Sequence, residues 1–306
     1  MKPLYLSFIP TLAVSLLVGC GGGGTGGGSV TPKTVSLVAS GLNGAKHMAF
    51  SSGNLYVAVQ DDHLIQNVTS GQNLVSNNAL SPIGLVVNGS DLIWSSFTQG
   101  IYKNADASNS LVSGGNWYGL AILDNKLYAA NNSPSNQILA YNLTNFSSIN
   151  SGVDPNRTVS EGSVQGLAVY GGAVYVTVAN SGAGLSNNNV VIKLIGTANG
   201  AGKYYDVMNS WGVFSQPNGI VFDGHYAYIA NYGTPGSGDG GYISRKNMLD
   251  NSPAERYLDA TTGNWGALSP GFCGLAGLAV NDGYLYASNG TCNSSPNEGT
   301  VLKIKL

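Results

Sequence analysis

Apolar and polar residues alternate over short spans of this chain and then give way to Gly, Asn and Asp. One span, GLAVYGGAVYVTVAN from Gly166, holds small apolar residues, a Gly-Gly pair and a Tyr-centred run that ends on Asn180. Five more copies start at His47 (HMAFSSGNLYVAV), Gly84 (GLVVNGSDLIWSS), Gly119 (GLAILDNKLYAAN), Gly219 (GIVFDGHYAYIAN) and Gly277 (GLAVNDGYLYASN). Two short apolar runs around a connector rich in Gly, Asn and Asp predict strand, tight turn, strand. A third extended run follows each hairpin, at 63–68, 100–103, 136–143, 189–194, 240–246 and 299–306.

Six such units predict an all-β fold, a six-bladed β-propeller, because repeats of a few tens of residues stack radially as small sheets. The last copy reaches the end of the sequence after three strands. Residues 33–42, KTVSLVASGL, are predicted to supply its fourth strand beside 299–306, a three-plus-one closure that removes an open edge. No helical periodicity persists after residue 20. The aromatics of the second runs, Tyr56, Trp94, Tyr128, Tyr175, Tyr228 and Tyr286, are expected to pack between blades.

The first twenty residues, MKPLYLSFIPTLAVSLLVGC, have a lysine, an apolar run and a small residue before cysteine, the order of an export signal. Their last four, Leu17, Val18, Gly19 and Cys20, resemble the lipobox of bacterial lipoproteins. That resemblance implies a signal peptide over 1–19, acyl chains on Cys20, a Gly-rich tether over 20–32 and a propeller over 33–306 standing off a membrane. Gly21 follows the cysteine where inner-membrane lipoproteins often carry Asp, so the resemblance favours the outer membrane. Several acyl chains anchor stably where one is marginal.

Of 306 residues, 44 are glycine and only 9% are charged, with a net charge of −2, so no basic stripe exists to neutralise phosphates and nucleic acid is excluded as a partner. The propeller reading puts Cys273 and Cys292 in loops on one face. In an oxidising compartment these two predict a disulfide, and no His neighbours either to favour a metal.

Candidate chemistry belongs at the mouth of the central channel, where loops lead into the inner strands. Lys46 with His47, Trp117 with Tyr118, Gln165 and Asn218 fall there, as do Asn131, Asn132, Asn180, Asn231 and Asn289 at the ends of second strands. Aromatic platforms at a concave mouth suit sugars or flat apolar ligands, which singles out Trp117 and Tyr118. The repeated Asn has two readings: turn architecture through left-handed backbone and side-chain caps, or an amide ring facing ligand. The ligand-binding set is therefore His47, Trp117, Tyr118, Asn131, Asn180, Asn218, Asn231 and Asn289. Acid–base resources are thin. Asp91, Asp124, Asp223 and Asp282 fall in hairpin turns, leaving His63, Asp61, Asp62, Glu161 and Asp239 beside His47. No catalytic residue, metal or cofactor is assigned.

The phrases GIVFDGHYAYIAN and GLAVNDGYLYASN resemble the NHL-repeat and related six-bladed propellers. The resemblance implies the fold and spans several functions: binding modules, gluconolactonase-like metal hydrolases and streptogramin lyase-like enzymes. This chain ends its second strands on Asn where the common text has Asp. The expected function is a non-enzymatic module at the cell envelope that binds a carbohydrate, peptide or envelope protein. The alternative is a metal-dependent lactonase- or lyase-like enzyme using His47 and nearby acids.

Overall fold

The computed structural model describes residues 32–108, 110–132, 136–149, 157–179, 189–196, 204–212, 214–233, 241–268, 271–272, 274–290 and 299–306. Cys20, Cys273, Cys292, Asn180 and Asp239 lie outside them, and with them the acyl anchor and the disulfide expectation.

Six antiparallel sheets follow one another along the chain. Blade 1 holds Ala45–Ser51, Asn54–Val59, Leu64–Asn67 and Gln72–Ser76. Blade 2 holds Pro82–Asn88, Asp91–Ser96, Gly100–Lys103 and Val112–Ser113. Blades 3, 4 and 5 begin with inner strands Trp117–Leu123, Ser163–Tyr170 and Pro217–Phe222 and add three strands outward. Blade 6 holds Leu275–Asn281, Tyr284–Asn289 and Thr300–Lys305, and Lys33–Ala39 closes it, with Ser36 opposite Lys303 and Leu37 opposite Leu302. Each inner strand touches the inner strands of both neighbours, and the last touches the first, so the ring is complete. Gly263–Asn264 adds a short parallel strand outside Lys33, an element too brief for periodicity to show.

The hairpin connectors fold as two-residue turns because their residues accept positive φ. Asp124 (50°) and Asn125 (58°) make one such turn, Gly171 (56°) and Gly172 (73°) another. No common core fills the ring; each seam between neighbouring blades has its own apolar cluster. Tyr128, Tyr175, Tyr228 and Tyr286 each enter the cluster shared with the following blade.

Trp94 departs from that set. The register pairs Leu85 with Trp94 but Leu120 with Ala129, so the residue equivalent to the repeated Tyr is Ile93. Blade 2 has the same four pairs between bulge and turn as blade 3, ending at Asn88 with Asp91, so its hairpin is no longer and Trp94 simply occupies the next position along the strand. Ile93 faces blade 3, whereas Trp94 faces blade 1, stacks on Tyr102 at 4.5 Å and donates its Nε1 proton to Asn104 O at 3.0 Å. A slip of one residue reverses the face a side chain presents.

Candidate functional site

The register of every inner strand shifts near its mouth end, where two residues oppose one on the second strand. Such a bulge bends the strand and re-aims its side chains. The six pairs are Lys46–His47, Ile83–Gly84, Tyr118–Gly119, Gln165–Gly166, Asn218–Gly219 and Ala276–Gly277. Opposite them stand Ala58, Ser95, Ala130, Thr177, Ala230 and Ser288.

Close packing explains the five glycines. A Cβ on Gly84, Gly119, Gly166, Gly219 or Gly277 would stand 2.7 Å or closer to a carbonyl oxygen of the next blade, those of Tyr118, Gln165, Asn218, Ala276 and Lys46 respectively. Three of these approaches are also fastened by hydroxyls. Ser95 Oγ accepts the Gly84 N–H at 2.8 Å and donates to Tyr118 O at 2.6 Å. Thr177 Oγ1 accepts from Gly166 N–H at 2.9 Å and donates to Asn218 O. Ser288 Oγ accepts from Gly277 N–H at 2.8 Å and donates to Lys46 O at 2.5 Å. Blades 2, 4 and 6 are thus stapled to blades 3, 5 and 1, while the corresponding residues of blades 1, 3 and 5 are fully buried alanines.

Blade 1 breaks the glycine ring with His47. Beneath the bulges lies an axial cavity of about 50 Å³ that touches all six blades, walled by Met48, Leu85, Leu120, Leu167, Ile220 and Leu278, with His47 as the one polar side chain in its lining. The imidazole Nε2 is buried and makes no hydrogen bond within the protein. Burial holds its pKa down at about 4, from an ordinary 6.5. A hydrogen-bonding interaction with the Asn218 side chain opposes that depression, and the Lys46 ammonium adds to it. At neutral pH the ring is uncharged and presents one open hydrogen-bonding position. Lys46 is itself pushed below its ordinary value by burial, against the pull of Asp61.

The structure therefore brings together His47, Tyr118 and Asn218, all in bulges, and adds Lys46 and Gln165 from equivalent positions. Burial pushes the Tyr118 phenol up, the neighbouring Asn132 amide pulls it down, and its ring meets Phe97 edge-on at 5.6 Å. The other expected ligand residues sit elsewhere. Trp117 is 2% exposed in the seam between blades 2 and 3, with its Nε1 proton on Gly114 O. Asn131 and Asn231 are buried and accept backbone N–H groups of the incoming loops, from Asn116 at 3.3 Å and Ser215 at 3.0 Å. Asn289 is buried with its Nδ2 on Thr300 Oγ1 at 3.3 Å, while its Oδ1 is buried without a hydrogen-bond partner. Asn131 and Asn231 follow the architectural reading, since their carboxamides satisfy loop N–H groups that no ladder reaches.

The acids are also engaged. Asp62 takes both the N–H and the Nδ2 of Asn43, His63 Nδ1 lies 2.6 Å from Leu80 O, and Glu161 receives the hydroxyls of Ser160 and Tyr205. Among the described residues no group of three or more His, Cys, Asp or Glu could hold a metal ion. A site of this kind can bind a neutral polar molecule by hydrogen bonds over an apolar floor.

No family model matches the chain, and no curated protein matches it. Solved structures do. A Thermus thermophilus protein assigned as a glucose dehydrogenase aligns with TM-score 0.63 at 14% identity, covering 89% of this chain and 99% of that one. The PQQ-bound aldose sugar dehydrogenase of Streptomyces coelicolor gives 0.61 at 14%, covering 90% and 99%. A Trichoderma reesei carbohydrate-active enzyme of family AA12 gives 0.59 at 15%, covering 92% and 100%. At such identities the likeness shows the propeller fold alone.

Proposed function

We propose that this chain is a ligand-binding module of the bacterial cell envelope, tethered to the outer membrane through acyl chains on Cys20 and braced by a Cys273–Cys292 disulfide. The observation that carries the binding role is His47. Architecture accounts for glycine at five of six equivalent positions, and the sixth holds a buried imidazole whose Nε2 has no protein partner. A buried polar atom left unpaired inside a cavity points to water or a ligand as its partner. Around it, Tyr118, Gln165 and Asn218 offer neutral donors and acceptors, and Lys46 one cation. That chemistry suits a carbohydrate or the polar end of a peptide better than a highly charged molecule.

An enzymatic reading draws support from the dehydrogenases among the structural neighbours. Pyrroloquinoline quinone, bound in one of them, carries several carboxylates and calls for several cations. Lys46 is the one cation among the six bulge pairs, so the residues present do not fit that group.

The test is a thermal-shift and calorimetric screen of the purified chain against neutral oligosaccharides and short peptides. A ligand that raises the melting temperature, and whose affinity falls roughly tenfold or more in His47→Gly, supports the reading. A divalent cation that copurifies and is released by His47→Ala defeats it in favour of a metal-dependent hydrolase or lyase.

A further inference from the structure

One backbone bond marks a set of equivalent positions around the mouth, just past the second strands. The N–H groups of Gln60, Phe97, Asn132, Tyr232 and Gly290 reach Gly44 O, Ser81 O, Asn116 O, Gln216 O and Gly274 O at 2.8–3.1 Å. Each receiving carbonyl belongs to the residue just before the inner strand of the same blade. The side chains at these five positions differ in size and polarity, so the fold needs the backbone bond and leaves the side chain open.

The seam between blades 2 and 3 uses that freedom in its own way. There an aromatic rim residue, Phe97, meets an aromatic bulge residue of the next blade, Tyr118; the corresponding pairs are Gln60 with Ile83, Asn132 with Gln165, Tyr232 with Ala276 and Gly290 with Lys46. Phe97 and Tyr118 are both half-buried, and their rings lie 5.6 Å apart at 85°, so the two faces make a corner. Tyr118 also packs on the apolar seam between blades 3 and 4, which holds its ring from the other side.

A polar edge borders this corner. A hydrogen-bonding interaction with the Asn132 side chain lowers the Tyr118 phenol against the upward push of burial, which makes the Asn132 amide its donor. The Tyr118 hydroxyl then keeps its own proton to give. Asn132 Oδ1 is buried without a hydrogen-bond partner, so an acceptor stands beside that donor. A buried acceptor left unpaired in this way calls for water or a ligand.

Sugars match such a place. Each sugar hydroxyl both donates and accepts, and adjacent hydroxyls on one ring offer the two functions side by side. The C–H groups on the faces of the same ring suit an aromatic wall, as apolar surface with a few placed polar groups is what small-molecule sites provide. Perpendicular faces leave no parallel slot in which a flat aromatic ligand could be sandwiched. None of the three residues is charged at neutral pH, which favours a neutral ligand.

We propose that Phe97, Tyr118 and Asn132 form a subsite at the rim of blades 2 and 3 that takes one ring of a neutral carbohydrate, its C–H groups against the aromatics and its hydroxyls on Tyr118 and Asn132 Oδ1. The inference rests on the binding role proposed above for the mouth and narrows its ligand to sugar.

The experiment presents the purified chain to printed arrays of neutral glycans and of uncharged peptides, then titrates the strongest glycan by calorimetry. Phe97→Ala and Asn132→Leu should each weaken that glycan about tenfold or more, through a lost aromatic face and a lost acceptor. The ligand-free melting temperature of Asn132→Leu should not fall, because the substitution removes an unpaired buried atom at similar volume. If Phe97→Ala does not fold, Phe97→Leu keeps the apolar bulk without the ring and should show the same loss. Unchanged glycan affinity in Phe97→Leu and Asn132→Leu, beside a loss in His47→Gly, overturns the subsite and leaves the binding role intact. Binding of peptides and of no glycan overturns the sugar assignment alone. Arrays on which nothing binds overturn the subsite and the binding role together.

Discussion

Blade 1 and the other five blades solve the same packing problem at the channel in different ways. In five, the second bulge residue is glycine because the next blade's carbonyl occupies the space of a Cβ. In blade 1 the position holds His47, whose Cα lies against Gly277 of blade 6 and whose ring interacts with Asn218 of blade 5. Five glycines follow from the ring, whereas the histidine does not. A residue that geometry does not require, placed on the axis with an unpaired nitrogen, is the place to look for function.

That contrast breaks most visibly at a glycine. Gly84→Val should destabilise by more than about 4 kcal/mol in urea unfolding, since the opposing atom is backbone and cannot turn aside. His47→Gly, which completes the ring, should leave stability within about 1 kcal/mol while removing ligand binding. A large loss in the second variant would make His47 architectural after all.

The next effect is on pH. His47 has a folded pKa of about 4 against an ordinary 6.5, so the unfolded chain binds more protons between those values. Its contribution is complete above pH 6.5 and fades as pH falls toward 4, by about 3 kcal/mol at most. In His47→Gly that slope should vanish from denaturation curves taken across the window. Asp259 does not confuse the measurement: burial would raise it, but bonds from Thr261 and Thr262 hold it at about 2, below the window.

A second comparison, between stapled and unstapled seams, sharpens the first with smaller effects. Thr177→Val leaves the Gly166 N–H and the Asn218 carbonyl without their bridge and should cost about 1–3 kcal/mol. Ala130→Ser puts a hydroxyl at the equivalent place on the seam between blades 3 and 4. It should add about 0.5–1.5 kcal/mol, read as a shift in denaturation midpoint at unchanged slope.

Much of the fold was legible because a hairpin declares itself locally. Alternation marks its strands, and Asp-Asn or Gly-Gly marks a turn that needs positive φ at both residues. The closing strand was legible as well, from alternation over 33–42 and an incomplete last copy. Trp94 misled the alignment because aromatic identity, unlike register, is visible in sequence. At the site, Tyr118, Asn218 and His47 could be placed near the mouth, but Trp117 and the buried asparagines could not be told from them. A single residue of register separates the bulge, which faces the channel, from its neighbour, which faces the seam.

The sequence by itself determined how many blades there are, where their turns fall and that glycine recurs once in each of five copies, because these depend on contacts between residues close along the chain. Only the tertiary structure decided why those glycines are needed, which hydroxyls join one blade to the next and that His47 stands over the axial cavity. Those facts depend on carbonyls and side chains brought together by closure of the ring, and no local pattern encodes a distance across it.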